Sequence, residues 1–317
     1  MNRREFLHGA ATLPVALAPA VRAAAYQPKR INKAIELLEQ GQPAYYINAG
    51  GGGYEEGRAL AKTWADIIMY DMEHAPYDVT RLRQFMKGLA DGGPTPSGHR
   101  TPAVFCPLPV LGLDPVTFKG ASWMVQQTLA CGVHGVHLCH ARSPEAVQIF
   151  VESARFPQQN LGRTKLGEGF RGYGSQKFAA QLWKISDTDY LQIADTWPLN
   201  PKGEIMLGVK IEDRHALEHT EETLQIPGLA FAEWGPRDMG LSYGLLSGSA
   251  DPPYPKPMQQ AMERVLPACK RNHLAFLDNV LPDNVKKRID EGVRIGAGGS
   301  KEAAEIGRRY TKRTMPW

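Results

Sequence analysis

Eight short apolar runs alternate with helical patterns along this chain, and that alternation constrains the fold more than any other feature. The runs cover residues 44–48, 66–71, 102–106, 135–139, 205–211, 229–233, 274–277 and 293–296. Between most of them lie stretches with helical periodicity, at 33–39, 79–89, 118–130, 144–153, 258–271 and 282–291. Glycine and proline mark the joins, as in Gly50-Gly51-Gly52-Gly53, Gly92-Gly93-Pro94 and Gly296-Ala297-Gly298-Gly299. Strand and helix in strict alternation build parallel sheets, and eight such units match a (β/α)8 TIM barrel, an α/β fold. An open doubly wound sheet is the alternative. Residues 155–203 are the least regular stretch, and Trp183, Trp197, Pro198 and Asn200-Pro201 there suggest a structured loop or lid with a short helix.

The N-terminus reads separately. Arg3-Arg4-Glu5-Phe6-Leu7 precedes an apolar stretch at 10–21 and the small residues Ala23-Ala24-Ala25. A charged start, a short apolar segment and a small-residue cleavage site make an export signal, here of twin-arginine type. The apolar stretch is shorter than the roughly 20 residues a membrane span needs. Residues 1–25 are therefore expected to be an export signal peptide, and 26–317 a single barrel domain in the periplasm or outside the cell. Export in the folded state suits a protein that acquires its cofactor in the cytoplasm.

The whole chain carries a net charge of +4, and setting aside the net +2 of residues 1–25 leaves +2. Such balance gives no basic patch for nucleic acid. No later segment approaches the length of a membrane span. Cys106, Cys131, Cys139 and Cys269 fit no paired metal spacing, and their pairing is not fixed by sequence.

Three of the strands end in charge: Tyr70-Asp71-Met72-Glu73-His74, Val209-Lys210-Ile211-Glu212 and Phe231-Ala232-Glu233-Trp234-Gly235-Pro236-Arg237-Asp238. Barrel chemistry sits at the C-terminal ends of strands, so three such ends point to one site. Glu212 and Asp238 are 26 residues apart, one strand–helix–strand step, which places two carboxylates on adjacent strand ends. Hard oxygen donors suit Mg²⁺, Mn²⁺ or a similar divalent ion; solvated loop acids are the plainer reading. His74 at the third end fits proton transfer near neutral pH, or a structural hydrogen bond to a neighbouring acid. His134, His137, Cys139 and His140 tempt a zinc reading, but strand alternation puts 137 and 139 on one face and 138 and 140 on the other.

Asp71-Met72-Glu73-His74-Ala75-Pro76, Phe170-Arg171-Gly172-Tyr173-Gly174, Ile211-Glu212 and Gly235-Pro236-Arg237-Asp238 resemble the HpcH/HpaI aldolase family, the class II pyruvate aldolases. The resemblance runs from about residue 31 to residue 304. It implies a (β/α)8 barrel assembled as a homo-oligomer, a hexamer or trimer of dimers. It implies a divalent metal (Mg²⁺, Mn²⁺ or Co²⁺) held by Glu212 and Asp238 and His74 as general acid or base; Arg171, Gly235 and Arg237 are candidate substrate contacts. The activity it implies is metal-dependent carbon–carbon bond cleavage or formation in a small hydroxy-carbonyl or 2-oxo acid compound.

The chain also departs from that pattern. Cys106 stands at the place of the family's substrate-gripping arginine and Ala130 at that of an aspartate supporting the histidine. Lys210 replaces a glutamine, and Arg237 a small residue. Lys210 shares its strand face with Glu212. It is expected to bind an anionic substrate, to form a Schiff base if its pKa is lowered, or to balance Glu212 or Asp238 in a salt bridge. Arg237 has pairing with Glu233 as its plain alternative. A non-catalytic exported barrel that binds a metal and a small-molecule ligand is the competing function.

Overall fold

The computed structural model describes residues 26–246, 253–297 and 300–317. The expected export signal lies outside the described residues. Nine strands are present among them: β1 Ala44–Ala49, β2 Ile67–Tyr70, β3 Ala103–Leu111, β4 Gly135–Cys139, β5 Thr196–Trp197, β6 Ile205–Lys210, β7 Phe231–Glu233, β8 Ala275–Asn279 and β9 Val293–Ala297. All pairings are parallel. β1 pairs with β2 and β9, and pairing continues round through β3 and β4 on one side and β8, β7 and β6 on the other. β4 and β6 then pair with each other, Val136 opposite Leu207 and His137 opposite Gly208, which closes an eight-stranded barrel. Closure leaves no free edge among these eight strands. β5 is a two-residue addition at the start of β6 and lies outside the ring.

Strand alternation sorts the apolar residues into two layers. Ile67, Met69, Phe105, Met206, Phe231, Leu277 and Ile295 fill the barrel interior, closed below by Ile35 and Leu37 of the helix Lys33–Glu39. Phe105 and Phe231 stack across it, with ring centroids 5.5 Å apart. β6 makes room for them by having no side chain at Gly208, where a Cβ would lie 2.2 Å from the Phe231 ring. The opposite faces, with Ile68, Val104, Cys106, Val136, Leu138, Leu207 and Val209, pack under the helices.

Helix starts follow local chemistry. Asp78, Asp114, Ser143, Ser186, Asp213 and Ser300 each accept a backbone N–H in the first turn of the helix they precede.

The irregular stretch folds as two helices, Lys177–Trp183 and Asp187–Ile193. It is not a lid over the strand ends. Trp183 donates to the Gly132 carbonyl at 2.9 Å and stacks on His134, so the stretch packs beside the N-terminal end of β4. Arg155 and Asp195 anchor it through a buried ion pair at 2.7 Å.

Candidate functional site

The C-terminal strand ends converge on a cavity of about 450 Å³ lined by Tyr46, Asn48, Glu73, His74, Pro107, His137, Lys210 and Glu233, among others. The turn after β2 is set by Asp71, whose Oδ1 accepts the backbone N–H groups of Glu73 at 2.9 Å and His74 at 3.0 Å. That turn aims Glu73 across the mouth, where its Oε2 accepts a hydrogen bond from Lys210 Nζ. Lys210 Nζ also lies 3.6 Å from Glu212 Oε2. Donor atoms of Glu73, Cys139 and Glu212 all fall within 4.8 Å of one another.

Glu212 is fully buried. Its Oε1 accepts the His140 backbone N–H at 2.9 Å, while its Oε2 has no hydrogen-bond partner. Burial raises the carboxyl pKa and Lys210 opposes it, with a net rise to about 7. A buried carboxylate oxygen without a hydrogen bond, 3.6 Å from the Lys210 ammonium and beside a second carboxylate and a thiol, fits a cation site. Gly235 holds the other side. It sits at φ 48°, and a Cβ there would be 2.4 Å from Glu212 Cβ. The glycine expected to meet substrate therefore makes room for Glu212.

Lys210 is buried to 11% side-chain exposure. Burial opposes its charge, but Glu233, Cys139, Glu212 and Glu73 together raise its pKa. Its ion pairs with Glu73 and Glu212 favour the salt-bridge alternative over the Schiff-base one. The salt-bridge partners are Glu73 and Glu212, with Glu233 opposite it in the β6–β7 register.

The structure brings His74, Lys210 and Glu212 to one mouth. The His74 ring is 70% exposed, and its Nε2 is 3.7 Å from Glu73 Oε2. Asp238 stands half-buried in the first turn of the helix Pro236–Ser242, where its charge acts on Glu233 and His140, but it is outside the compact group. The acid that completes that group with Glu212 is Glu73. Arg237 is exposed, and no ion pair to Glu233 or another acid forms among the described residues. Arg171 does not line the cavity. It is 1% exposed, lies 4.3 Å over the Phe156 ring and donates to Tyr190 Oη, so the expected substrate contact gives way to packing between aromatic faces. Cys106 points into the helix-facing layer, whereas Phe105 and Pro107 on either side of it face inward. The substrate-clamp position is thus not Cys106, since one residue along a strand reverses the face.

Sequence placed Glu73 and Glu233 at the strand ends without giving them a role, and set Cys139 and His140 on opposite strand faces. Strict alternation sent His140 away from Cys139. β4 ends at Cys139, however, and His140 takes φ 44°, which turns it back toward the site. There its Nδ1 pairs with Asp213 Oδ2 at 2.8 Å, a contact that raises the His140 pKa, and its Nε2 is 3.8 Å from Glu212.

No family profile matches the chain. It is 27% identical over 216 residues to a hydroxypyruvate/pyruvate aldolase of Deinococcus radiodurans, covering 68% of this chain and 66% of that one. A second hydroxypyruvate/pyruvate aldolase, from Paraburkholderia phytofirmans, is 23% identical and is matched over 89% of this chain and 94% of its own. The 2-keto-3-deoxy-L-rhamnonate aldolase of Escherichia coli K12 is 23% identical, with 74% of each chain covered. Among solved structures, an HpcH/HpaI aldolase/citrate lyase family protein from Burkholderia cenocepacia superposes with a TM-score of 0.65 at 21% identity, covering 88% of this chain and 96% of that one. Macrophomate synthase gives the same TM-score at 19% identity, covering 88% of this chain and 89% of its own. The homologues and structural neighbours are HpcH/HpaI aldolase and lyase family members. The structural likeness establishes the barrel, and the named relatives support an aldolase or lyase of this type.

Proposed function

We propose that the chain is a divalent-metal-dependent carbon–carbon lyase acting on a small hydroxy-carbonyl or 2-oxo acid compound. The observation that carries this reading is the buried Glu212 Oε2, without a hydrogen-bond partner, beside Glu73 and Cys139 at the edge of the His74 cavity. Glu212 and Glu73 would hold the ion, with Asp238 within electrostatic reach. When bound, the ion supplies Lewis-acid stabilisation of negative charge developing on a carbonyl oxygen.

His74 is exposed enough to meet a substrate hydroxyl. In the cleavage direction its ring nitrogen takes the hydroxyl proton as the carbon–carbon bond breaks and the aldehyde forms, and in synthesis it returns that proton. The cavity lining holds Asp71, Glu73 and Glu233 against one ammonium, Lys210. An anionic oxo acid would be repelled there without a bound cation, so the acidic wall and the metal belong to one design. Lys210 balances the acids and offers a donor to substrate oxygen.

The test is turnover by the purified protein with Mg²⁺, Mn²⁺ or Co²⁺ across a panel of hydroxy-oxo acids and oxaloacetate. No conversion above the metal-free control for any compound removes the lyase reading. A ligand bound but recovered unchanged would favour the second reading, a non-catalytic exported barrel, whose support is that β3 presents Pro107, not a cationic side chain, to the cavity. We further propose export through the twin-arginine route and assembly as a homo-oligomer, a hexamer or trimer of dimers. Cell fractionation and sedimentation test these two points.

A further inference from the structure

We infer that Cys139 is a thiolate ligand of this metal site, and that the resulting donor set favours a borderline ion such as Zn²⁺ or Co²⁺ over Mg²⁺. The inference rests on the metal-dependent reading above and adds a ligand that changes which ion the site selects.

Three observations carry it. The first is distance. Glu73, Cys139 and Glu212 offer ligand atoms within 4.8 Å of one another. Around a four-coordinate ion with bonds of about 2.0–2.3 Å, ligand atoms stand roughly 3.5 Å apart, so closing on a cation needs only small side-chain rotations.

The second is placement. Cys106, Cys131 and Cys269 belong to the apolar layer between strands and helices, and Cys139 belongs to neither apolar cluster. It is the last residue of β4, fully buried, with Glu73, Glu212 and Lys210 as its charged surroundings. A cysteine used as a small apolar filler sits in the first kind of place.

The third is Oε2 of Glu212, fully buried in the same group, which has no hydrogen-bond partner and only the Lys210 ammonium at 3.6 Å beside it. A cation there satisfies that oxygen, and a coordinating thiol loses its proton outright. Lys210, which now pairs with Glu73, faces Glu233 across the β6–β7 register and has that carboxylate as its partner once the ion arrives. The preference follows from ligand chemistry. Mg²⁺ takes oxygen donors in near-octahedral geometry, whereas thiolate and mixed sulfur–oxygen sets suit ions further along the first-row series.

The experiment is a Co²⁺ titration of the metal-stripped full chain followed by absorption spectroscopy. A sulfur-to-cobalt charge-transfer band in the near ultraviolet is expected at one equivalent. In Cys139→Ser that band is lost while the visible cobalt bands persist, and Cys106→Ser keeps both. In competition, Cys139→Ser should lower Zn²⁺ affinity by more than the roughly 10–100-fold that loss of a merely supporting residue costs, and leave Mg²⁺ affinity unchanged. X-ray absorption at the zinc edge of the unmodified protein needs no variant, and should show one sulfur at about 2.3 Å. Co²⁺ bound without a charge-transfer band, or a zinc edge with only oxygen and nitrogen neighbours, overturns the thiolate and leaves the metal site standing. Failure to bind any divalent ion overturns both.

Discussion

A Cβ on residue 235 would lie 2.4 Å from Glu212 Cβ and 2.7 Å from Glu212 Oε2. Gly235 and Glu212 therefore fix each other. The glycine also has φ 48°, where an alanine is strained whatever the space. Gly235→Ala is expected to cost about 1–3 kcal/mol of stability from overpacking, and to push the Glu212 carboxylate out of its position. Thermal melts and calorimetric Mn²⁺ titration check this. A variant with native melting and native Mn²⁺ affinity would show that Glu212 does not need this glycine.

The eight barrel strands were legible because each is a buried apolar run bounded by turn residues, and the acids at their ends stand out against that background. β5 was not legible, since two residues carry no period. The strand ends named from sequence do converge on one cavity, and more residues meet there than were given a role. Glu73 lies three residues past β2, in a turn governed by Asp71, and only the fold brings it to Lys210, 137 residues away in sequence. Alternation misled at the end of β4, and resemblance alone could not orient Cys106 within β3. The first separated His140 from Cys139, and the second left open that Cys106 faces the helices. Arg171 sits in a glycine-rich run that resembles a binding loop, yet its guanidinium lies against Phe156 and Tyr190.

His74 offers the cleanest separation of chemistry from folding. Its ring is 70% exposed, so removing it disturbs little packing. His74→Asn is expected to lower kcat by about 10²–10⁴-fold on whichever panel compound turns over, while stability shifts by no more than about 0.5 kcal/mol. Steady-state kinetics and a denaturant melt read the two effects independently. A variant that retains full kcat would move the proton-transfer role elsewhere.

Lys210 is the counter-charge for Glu73, Glu212 and Glu233. Lys210→Met leaves these carboxylates facing one another. Breaking a buried pair from one side costs about 3–5 kcal/mol, and that loss is expected in metal-free buffer at neutral pH. Divalent ions should restore much of it by binding the folded state. Denaturant midpoints with and without Mn²⁺ test this, and equal midpoints in metal-free buffer for variant and parent would contradict it. The raised Lys210 pKa also predicts that borohydride with pyruvate leaves residue 210 unlabelled, which mass analysis of the peptide checks.

His134 should give the protein an acid-sensitive limb. Its Nδ1 accepts the Val104 backbone N–H at 3.1 Å while its ring stacks on Trp183, so the neutral ring is built into the start of β4. Burial lowers its pKa from 6.5 to about 3. Between those two values the unfolded chain holds a proton that the folded chain does not, so stability rises with pH across the window. The contribution is complete above pH 6.5 and falls away as pH drops toward 3, by up to about 1.4 kcal/mol per unit. Glutamine at this position keeps an oxygen to accept from Val104 and cannot titrate. The difference in unfolding free energy between His134→Gln and the parent, measured from pH 7.5 down to 4, should therefore change in the variant's favour as pH falls. A pH-independent difference would mean that His134 does not meet the proton on unfolding in the way its burial requires.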